Sequence, residues 1–404
     1  MDTVLKDLPA GPWVNDLQDA MLGGDIEELA MMDYVKYYAG PLISTIGMAG
    51  FLLGGDWVWL GFATFPAVTL LDALLPHDLD MRRITSPFWA AIPVWLGALA
   101  PIAIFVAFAW RLSIEPLSIQ QIIGGTLSCG WLALVPGIAA QHELFHSRGR
   151  IARTIGRYAQ FTLLDGMRDV EHVVYHHIDV STPIDISTAP RGTSIYRYTP
   201  KTVYEVVRVS LKAESDALEK RGFSRWNYKH RAWKILFIQV IYQSIMYAIG
   251  GWLAVVCTLA AMTMARVWVE MFSYFQHYGQ TRIPGTPIGR RHVWNHLGAV
   301  TRLVGFELTN HADHHLDPYA PYYKLRPHRE AIPMPSIFVC FLAALIPPIW
   351  DEMIIKPALK RWDLEFATPA ERAVARQQNF SAGWEDWFDQ QPTDSARAPA
   401  TLAC

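Results

Sequence analysis

The four cysteines of this chain, Cys129, Cys257, Cys340 and Cys404, stand alone, and no CxxC pair exists. That absence argues against a disulfide framework, a zinc ribbon and an iron–sulfur or rubredoxin-type centre. No GxGxxG follows a strand-like run, so neither a nicotinamide nor a flavin site is expected. Charge of one sign is missing too: 35 Lys and Arg against 37 Asp and Glu leave a net −2, without the basic face that nucleic acid requires. The N-terminus lacks the basic start and apolar core of a cleavable signal peptide. It carries Asp2, Asp7, Asp16, Asp19, Asp25, Glu27 and Glu28 instead.

Apolar sequence is abundant. Hydrophobic residues are 51% of the 404 and the mean hydropathy is +0.14, which points to membrane spans. Segments near 38–55, 57–75, 88–110, 119–140, 232–249 and 251–271 each approach the roughly 20 residues that cross about 30 Å of hydrocarbon. Gly54-Gly55-Asp56 and Gly250-Gly251 punctuate two pairs of these runs as helical hairpins. Trp57, Trp59, Trp89, Trp110 and Trp252 lie near run ends, the depth at which amphipathic rings collect, though some would serve equally as core aromatics.

The expectation is an all-α integral membrane protein with six transmembrane helices and a cytoplasmic helical region, residues 34–386. A polar extension (1–33) precedes this domain and a flexible tail (387–404) follows it. The shorter run Ile337 to Ile349 reads as a packed or interfacial helix. With the N-terminus cytoplasmic, spans 2, 4 and 6 end on the cytoplasmic side. The segments after spans 2 and 4 hold Arg82, Arg83, Arg148, Arg150, Arg153, Arg157, Lys220, Arg221, Arg225 and Lys229, whereas the outer connections hold Arg111 alone. This asymmetry obeys the positive-inside rule and puts both termini on the cytoplasmic side.

Nine of the 14 histidines fall into four short groups at the cytoplasmic ends of these runs. His142 and His146 in HELFH are spaced i,i+4, on one helix face. In EHVVYHH, His172 and His176 are expected to share a face, with His177 about 100° round. His277 follows span 6 in YFQHYG, and His311, His314 and His315 stand at i, i+3 and i+4 in NHADHH. One structural zinc takes about four ligands, so nine imidazoles suggest two metal ions. The residue types do not select the metal. Glu143, Glu171, Asp185, Glu307 and Asp313 are candidates to orient the rings, or ordinary solvated charges. His77, His230, His292, His296 and His328 lack ligand spacing and are assigned surface or structural roles, His292 and His296 with a possible supporting role beside the metals.

With HELFH at 142–146, EHVVYHH at 171–177 followed by TPID at 182–185, YFQHYG at 274–279 and LTNHADHH at 308–315, the chain resembles the membrane di-iron hydroxylases of the alkane-monooxygenase type. WVWLGFATFPAVTLLDALLP at 57–76, VWNHLG at 293–298, MPSIFVCFLAALIPPIW at 334–350 and WDLEFATPAERAVA at 362–375 are similar to the xylene- and p-cymene-monooxygenase branch of that family. The likeness spans about residues 32–386. Glu171, directly before His172, instead follows the alkane-hydroxylase pattern.

The resemblance implies a multi-pass enzyme of the bacterial inner membrane, with two iron ions held by the nine histidines and O₂ as cosubstrate. It implies hydroxylation of a methyl group on an apolar alkylaromatic such as toluene, xylene or p-cymene. It also implies electrons from a separate NADH-dependent flavin and [2Fe–2S] reductase, since this chain has no such motif. Arg148, Arg150, Arg153, Arg221, Arg225, Arg326 and Arg329 would suit an acidic partner, although most fit the topology signal as well. A terminal hydroxylase of linear alkanes is the nearest rival, ahead of a fatty-acid desaturase. A non-catalytic metal-binding protein such as a transporter is further off, because transporter ligands sit near the bilayer midplane.

Overall fold

The computed structural model describes residues 30–388, so the bulk of the expected extension and tail lies outside the described residues. Among them there are helices and turns but no strand. Helix α1 (Ala39–Leu53) and helix α2 (Leu60–Leu74) pack as a hairpin around Gly54 and Gly55, both with positive φ. A Cβ at Gly54 would sit 2.5 Å from the Arg111 guanidinium, which closes this end of the bundle by donating from Nε to the Phe51 carbonyl at 2.6 Å. Helix α3 (Pro87–Ile114) is the longest unbroken apolar element, at 28 residues.

The next helix departs from the expected uniform span. Helix α4 (Ile119–Leu132) starts on a capping box between Ser118 and Gln121. It then breaks at Ala133–Ile138, where Val135 leaves helical geometry (φ −125, ψ 116) ahead of Pro136. Proline has no N–H to donate and pushes its predecessor toward extended backbone. Helix α5 (Ala139–His146) resumes on a new axis and carries the first two histidines.

Helix α6 (Arg150–Ala159) and helix α7 (Ile195–Glu219) are polar-faced and lead to helix α8 (Arg231–Gln276). The 46 residues of α8 are two arms: Gly250 and Gly251 leave helical geometry, and Gly251 at φ 65 adopts a conformation open to glycine. The arms fold back on each other. Gln239 Nε2 donates to Met262 Sδ at 3.3 Å, whereas a straight helix would hold those residues about 35 Å apart. The expected hairpin is therefore present.

Among the described residues, four helical stretches are long and apolar enough to cross a membrane: Gly55–Leu74, Pro87–Ile114, Ile119–His146 and Arg231–Gln276. Helix α1, at 15 residues, is shorter than the span expected there. Large apolar side chains are exposed on the outside of these helices, among them Leu70, Phe88, Leu96, Phe237 and Val256, as a lipid-facing surface requires. Trp57, Trp89, Trp110 and Trp252 are exposed among them, while Trp59 packs against Phe62.

Two short helices complete the part that positions the site. Helix α9 (His311–Leu316) carries three histidines, and helix α10 (Ile337–Ala344) buries Phe338, Cys340 and Phe341. The expected helix at 337–349 is thus packed over 337–344, and the chain breaks at Leu345–Ile346 before Pro347. Helix α11 (Pro369–Ala382), started by a Thr368–Glu371 capping box, braces the loop after His277. There Arg191 donates to the Gly279 carbonyl at 2.8 Å and pairs with Asp363 through both terminal nitrogens at 2.7 Å.

Candidate metal centre

The four histidine groups converge at the C-terminal ends of α5 and α8. His142, His146, His172 and His314 bring one ring nitrogen each within 4.8 Å of one another, and His176, His277, His311 and His315 do the same. The ninth ring, His177, borders the first set: its Nε2 lies 3.1 Å from that of His172 and 3.2 Å from that of His314.

Local backbone geometry sorts these rings in a way the α-helical period does not anticipate. His172 and His176 were expected on one face, yet His172 joins the first set and His176 the second. His172–His176 is a wide π-turn inserted between Arg168–Glu171 and His177–Asp179. The wider turn brings positions i and i+5, His172 and His177, together; such turns recur at functional sites. In α9 the ordinary period holds: His311 and His315 face the second set, and His314 reaches the first.

The donor set fits metal ions. His277 Nδ1 donates to the Ser273 carbonyl at 3.0 Å and His311 Nδ1 to the Leu308 carbonyl at 3.1 Å. Each neutral ring then has a bare lone pair on Nε2, and these two atoms face each other at 2.7 Å. Two lone pairs at that distance repel unless a cation lies between them; nitrogens sharing one first-row metal at about 2.0–2.1 Å sit roughly 3 Å apart. Protonation does not relieve the repulsion. Burial, reinforced by the neighbouring rings, pushes His277 and His311 well below the usual imidazole range. The same causes act on His172, His177, His314 and His315. Burial also disfavours charge on His176, but Asp185 outweighs it and raises that ring. His146 has no partner for either ring nitrogen, and His176 Nε2 has none. Buried polar atoms normally have partners, so these orphans mark places for ions.

Of the five candidate carboxylates, two reach the rings. Asp185 accepts from His176 Nδ1 at 3.0 Å and from Thr188 Oγ1 at 2.6 Å. Glu171 lies within the same 4.8 Å group as His176 and Asp185; Ser187 Oγ donates to it at 2.9 Å, and burial lifts its carboxyl to about 7. The other three are engaged elsewhere. Glu143 accepts from the Tyr322 amide at 3.1 Å. Glu307 belongs to a buried network with Tyr37, Arg82 and Arg302. Asp313 pairs with His328 at 3.1 Å. His292 pairs with Glu371 at 2.8 Å and braces α11, and His230 caps α8 by accepting from the Ala232 amide. His296 is fully buried, with Nδ1 on the Pro335 carbonyl; His77 is exposed.

Three features of the site were not anticipated. Ser273 lies one helical turn before His277 and holds its ring, a relation readable from i,i−4 spacing at a helix end. Ser187 follows the TPID segment by two residues. A buried charge cluster joins Arg168 to Asp165 and Glu270 at 2.5 Å each, with Arg266 on Glu270 as well. Its only sequence signal is Arg266 and Glu270 one turn apart inside an apolar run, a costly placement in lipid.

A cavity of about 120 Å³ opens directly above the rings. His142, His172, His176, His277 and His311 form one wall, and Leu134, Val135, Ile138, Val269, Phe272, Ile337 and Phe338 supply most of the apolar remainder. Helix α8 contributes Val269, Phe272, Ser273 and Gln276, and His277 follows directly at its end, one face that runs about 12 Å from its apolar end to the imidazoles.

A model of the fatty acid desaturase family matches residues 117–334, over half of the chain and including all nine clustered histidines. The xylene/toluene monooxygenase hydroxylase component of Pseudomonas putida is 39% identical over 367 residues, 89% of this chain and 98% of that protein. The chain belongs to the membrane monooxygenases of the fatty acid desaturase family. Alkane 1-monooxygenase 1 of Pseudomonas aeruginosa is 30% identical over 296 residues, covering 70% of this chain and 75% of that protein. Alkane 1-monooxygenase of Ectopseudomonas oleovorans is 28% identical over 322 residues, 76% of this chain and 77% of that protein. This monooxygenase is therefore an integral membrane enzyme, and its histidine-walled apolar cavity is its candidate active site.

Proposed function

We propose that the nine clustered histidines hold two iron ions and that the enzyme hydroxylates the methyl group of a small alkylaromatic to the benzylic alcohol. The observation that carries this reading is the apolar cavity ending on imidazoles. His142, His146, His172, His177 and His314 would hold one ion, and His176, His277, His311 and His315 the other. When bound, the irons supply O₂ activation and the oxidising power for an unactivated C–H bond. The chain orients the rings through Asp185 and the Ser273 and Leu308 carbonyls, excludes water with its aliphatic and aromatic walls, and presents a methyl group to the histidine wall.

The apolar lining of the cavity supports a hydrocarbon substrate, and the similarity to the xylene/toluene monooxygenase hydroxylase component supports an alkylaromatic one. Offering p-xylene, p-cymene and octane together to cells that co-express a reductase tests the substrate. Benzylic alcohols are the expected main products, and octanol as the main product overturns the choice. Metal analysis of the purified enzyme is expected to find iron at both sites; one zinc per chain defeats the di-iron reading. Asp185→Asn is expected to lower activity or iron retention about 10- to 100-fold, the usual cost of removing a group that orients a metal-bound histidine.

The six-span topology, with the metal centre and both termini on the cytoplasmic side of the bacterial inner membrane, belongs to this proposal. It rests on the distribution of Arg and Lys and on the Gly250–Gly251 hairpin. Electrons would come from an NADH-dependent reductase carrying flavin and a [2Fe–2S] centre. Arg148, Arg150, Arg221, Arg225, Arg326 and Arg329 are exposed and available to such a partner. If neutralising them leaves a salt-sensitive reduction rate unchanged, docking through these residues is ruled out.

A further inference from the structure

The cavity has a polar end and an apolar end, and what closes the apolar end decides how long a molecule fits. Phe338 stands there. It lines the cavity, is 1% exposed and sits near the start of α10, where Ser336 Oγ accepts from its amide at 3.3 Å. Its ring packs on Phe272 at 5.9 Å between centroids, on Trp131 at 5.7 Å and on Phe65 at 6.2 Å. Phe272 precedes His277 by five residues, and Trp131 lies before the break that turns the chain toward His142. Phe338 therefore meets the cavity at the end away from the imidazoles. Behind it the wall is fixed: Trp131 Nε1 donates to Thr64 Oγ1 at 2.8 Å, and the rings of Trp131 and Trp268 pack at a tilt against Phe65.

We propose that Phe338 determines substrate length, because its ring stops the substituent remote from the reacting carbon. This rests on the hydroxylase reading above. Loss of the phenyl ring would extend the cavity as far as Trp131, a bounded gain that admits a few more methylenes. A larger ring would shorten the cavity.

The test compares the wild-type enzyme with Phe338→Ala and Phe338→Trp, each co-expressed with its electron-donating partner. Two series are offered: alkylbenzenes from toluene to hexylbenzene, and linear alkanes from hexane to dodecane. The readout is the ratio of kcat/KM between long and short members of a series. Phe338→Ala is expected to raise that ratio about tenfold or more, since each methylene fitted or refused in an apolar pocket is worth at least about that factor. Phe338→Trp is expected to lower it. A merely structural role would depress all rates together and leave the ratio unchanged, which overturns the proposal. Where Phe338→Ala does not accumulate, Phe338→Leu, closer in volume, carries the same comparison. Wild-type enzyme that hydroxylates only alkanes defeats the alkylaromatic reading, yet the alkane ratio still decides the role of Phe338.

Discussion

Replacing His314 by alanine is expected to abolish hydroxylation and to empty the first metal position. Its ring lies 4.7 Å from that of His142, 4.8 Å from that of His146 and 4.8 Å from that of His177 between centroids, at the middle of the first set. No other side chain of α9 is placed to substitute, because His311 and His315 belong to the second set. Loss of a ring-orienting group costs about 10- to 100-fold, and loss of a ligand itself is expected to exceed that. Iron content and p-xylene turnover of purified His314→Ala, set against His328→Ala, provide the measurement. His328 is buried but pairs with Asp313, so its variant is expected to keep its iron. Full iron and full turnover in His314→Ala would remove this residue from the ligand set.

A loss of comparable size, by a different route, is expected from Arg191→Ala. Arg191 and Asp363 are both wholly buried, and the guanidinium also donates to Asn379 at 2.8 Å. Trp387 Nε1 donates to the same carboxylate at 2.8 Å. Removing one partner strands the other charge away from water, which costs about 3–5 kcal/mol. The consequence reaches the active site because Arg191 Nε holds the Gly279 carbonyl, two residues from His277. Thermal unfolding in detergent is expected to show a marked fall in Tm for Arg191→Ala and for Asp363→Ala. The double replacement Arg191→Met/Asp363→Leu removes both charges and is expected to recover much of the stability, as apolar replacements of buried ion pairs often do. Equal destabilisation by the double and single variants would show that the hydrogen bond to Gly279, not the unpaired charge, carries the effect.

The carboxylates show where sequence reasoning reaches its limit. Glu143 adjoins His142 along the chain, whereas Asp185 stands eight residues beyond His177. Asp185 turns onto His176, while Glu143 points from the other side of α5 toward Tyr322. Neighbourhood along the chain leaves the direction of a side chain open unless the local period is known. Glu307 is closer still in kind to a supporting residue, yet Arg82, 225 positions earlier, captures it together with Arg302. The π-turn at His172–His176 illustrates the same limit from the backbone side. At 3.6 residues per turn His176 would share the face of His172, and one wider turn places it in the opposite set.

Apolar run lengths, the Gly250–Gly251 break and the four histidine groups were legible in the order of residues, because each depends on neighbours within about twenty positions: a helix long enough for lipid, a backbone open to positive φ, rings repeated on one face. The division of eight of the rings into two sets, the lone pairs of His277 and His311 turned toward each other, and the choice of Asp185 over Glu307 all depend on segments up to hundreds of residues apart. Those depend on packing: the break at Pro136 redirects α5, α9 reaches both sets, and Phe338 lines a cavity whose other walls come from that break, α5 and α8. Local preference writes the elements of this enzyme, and the burial of side chains between distant elements aims them.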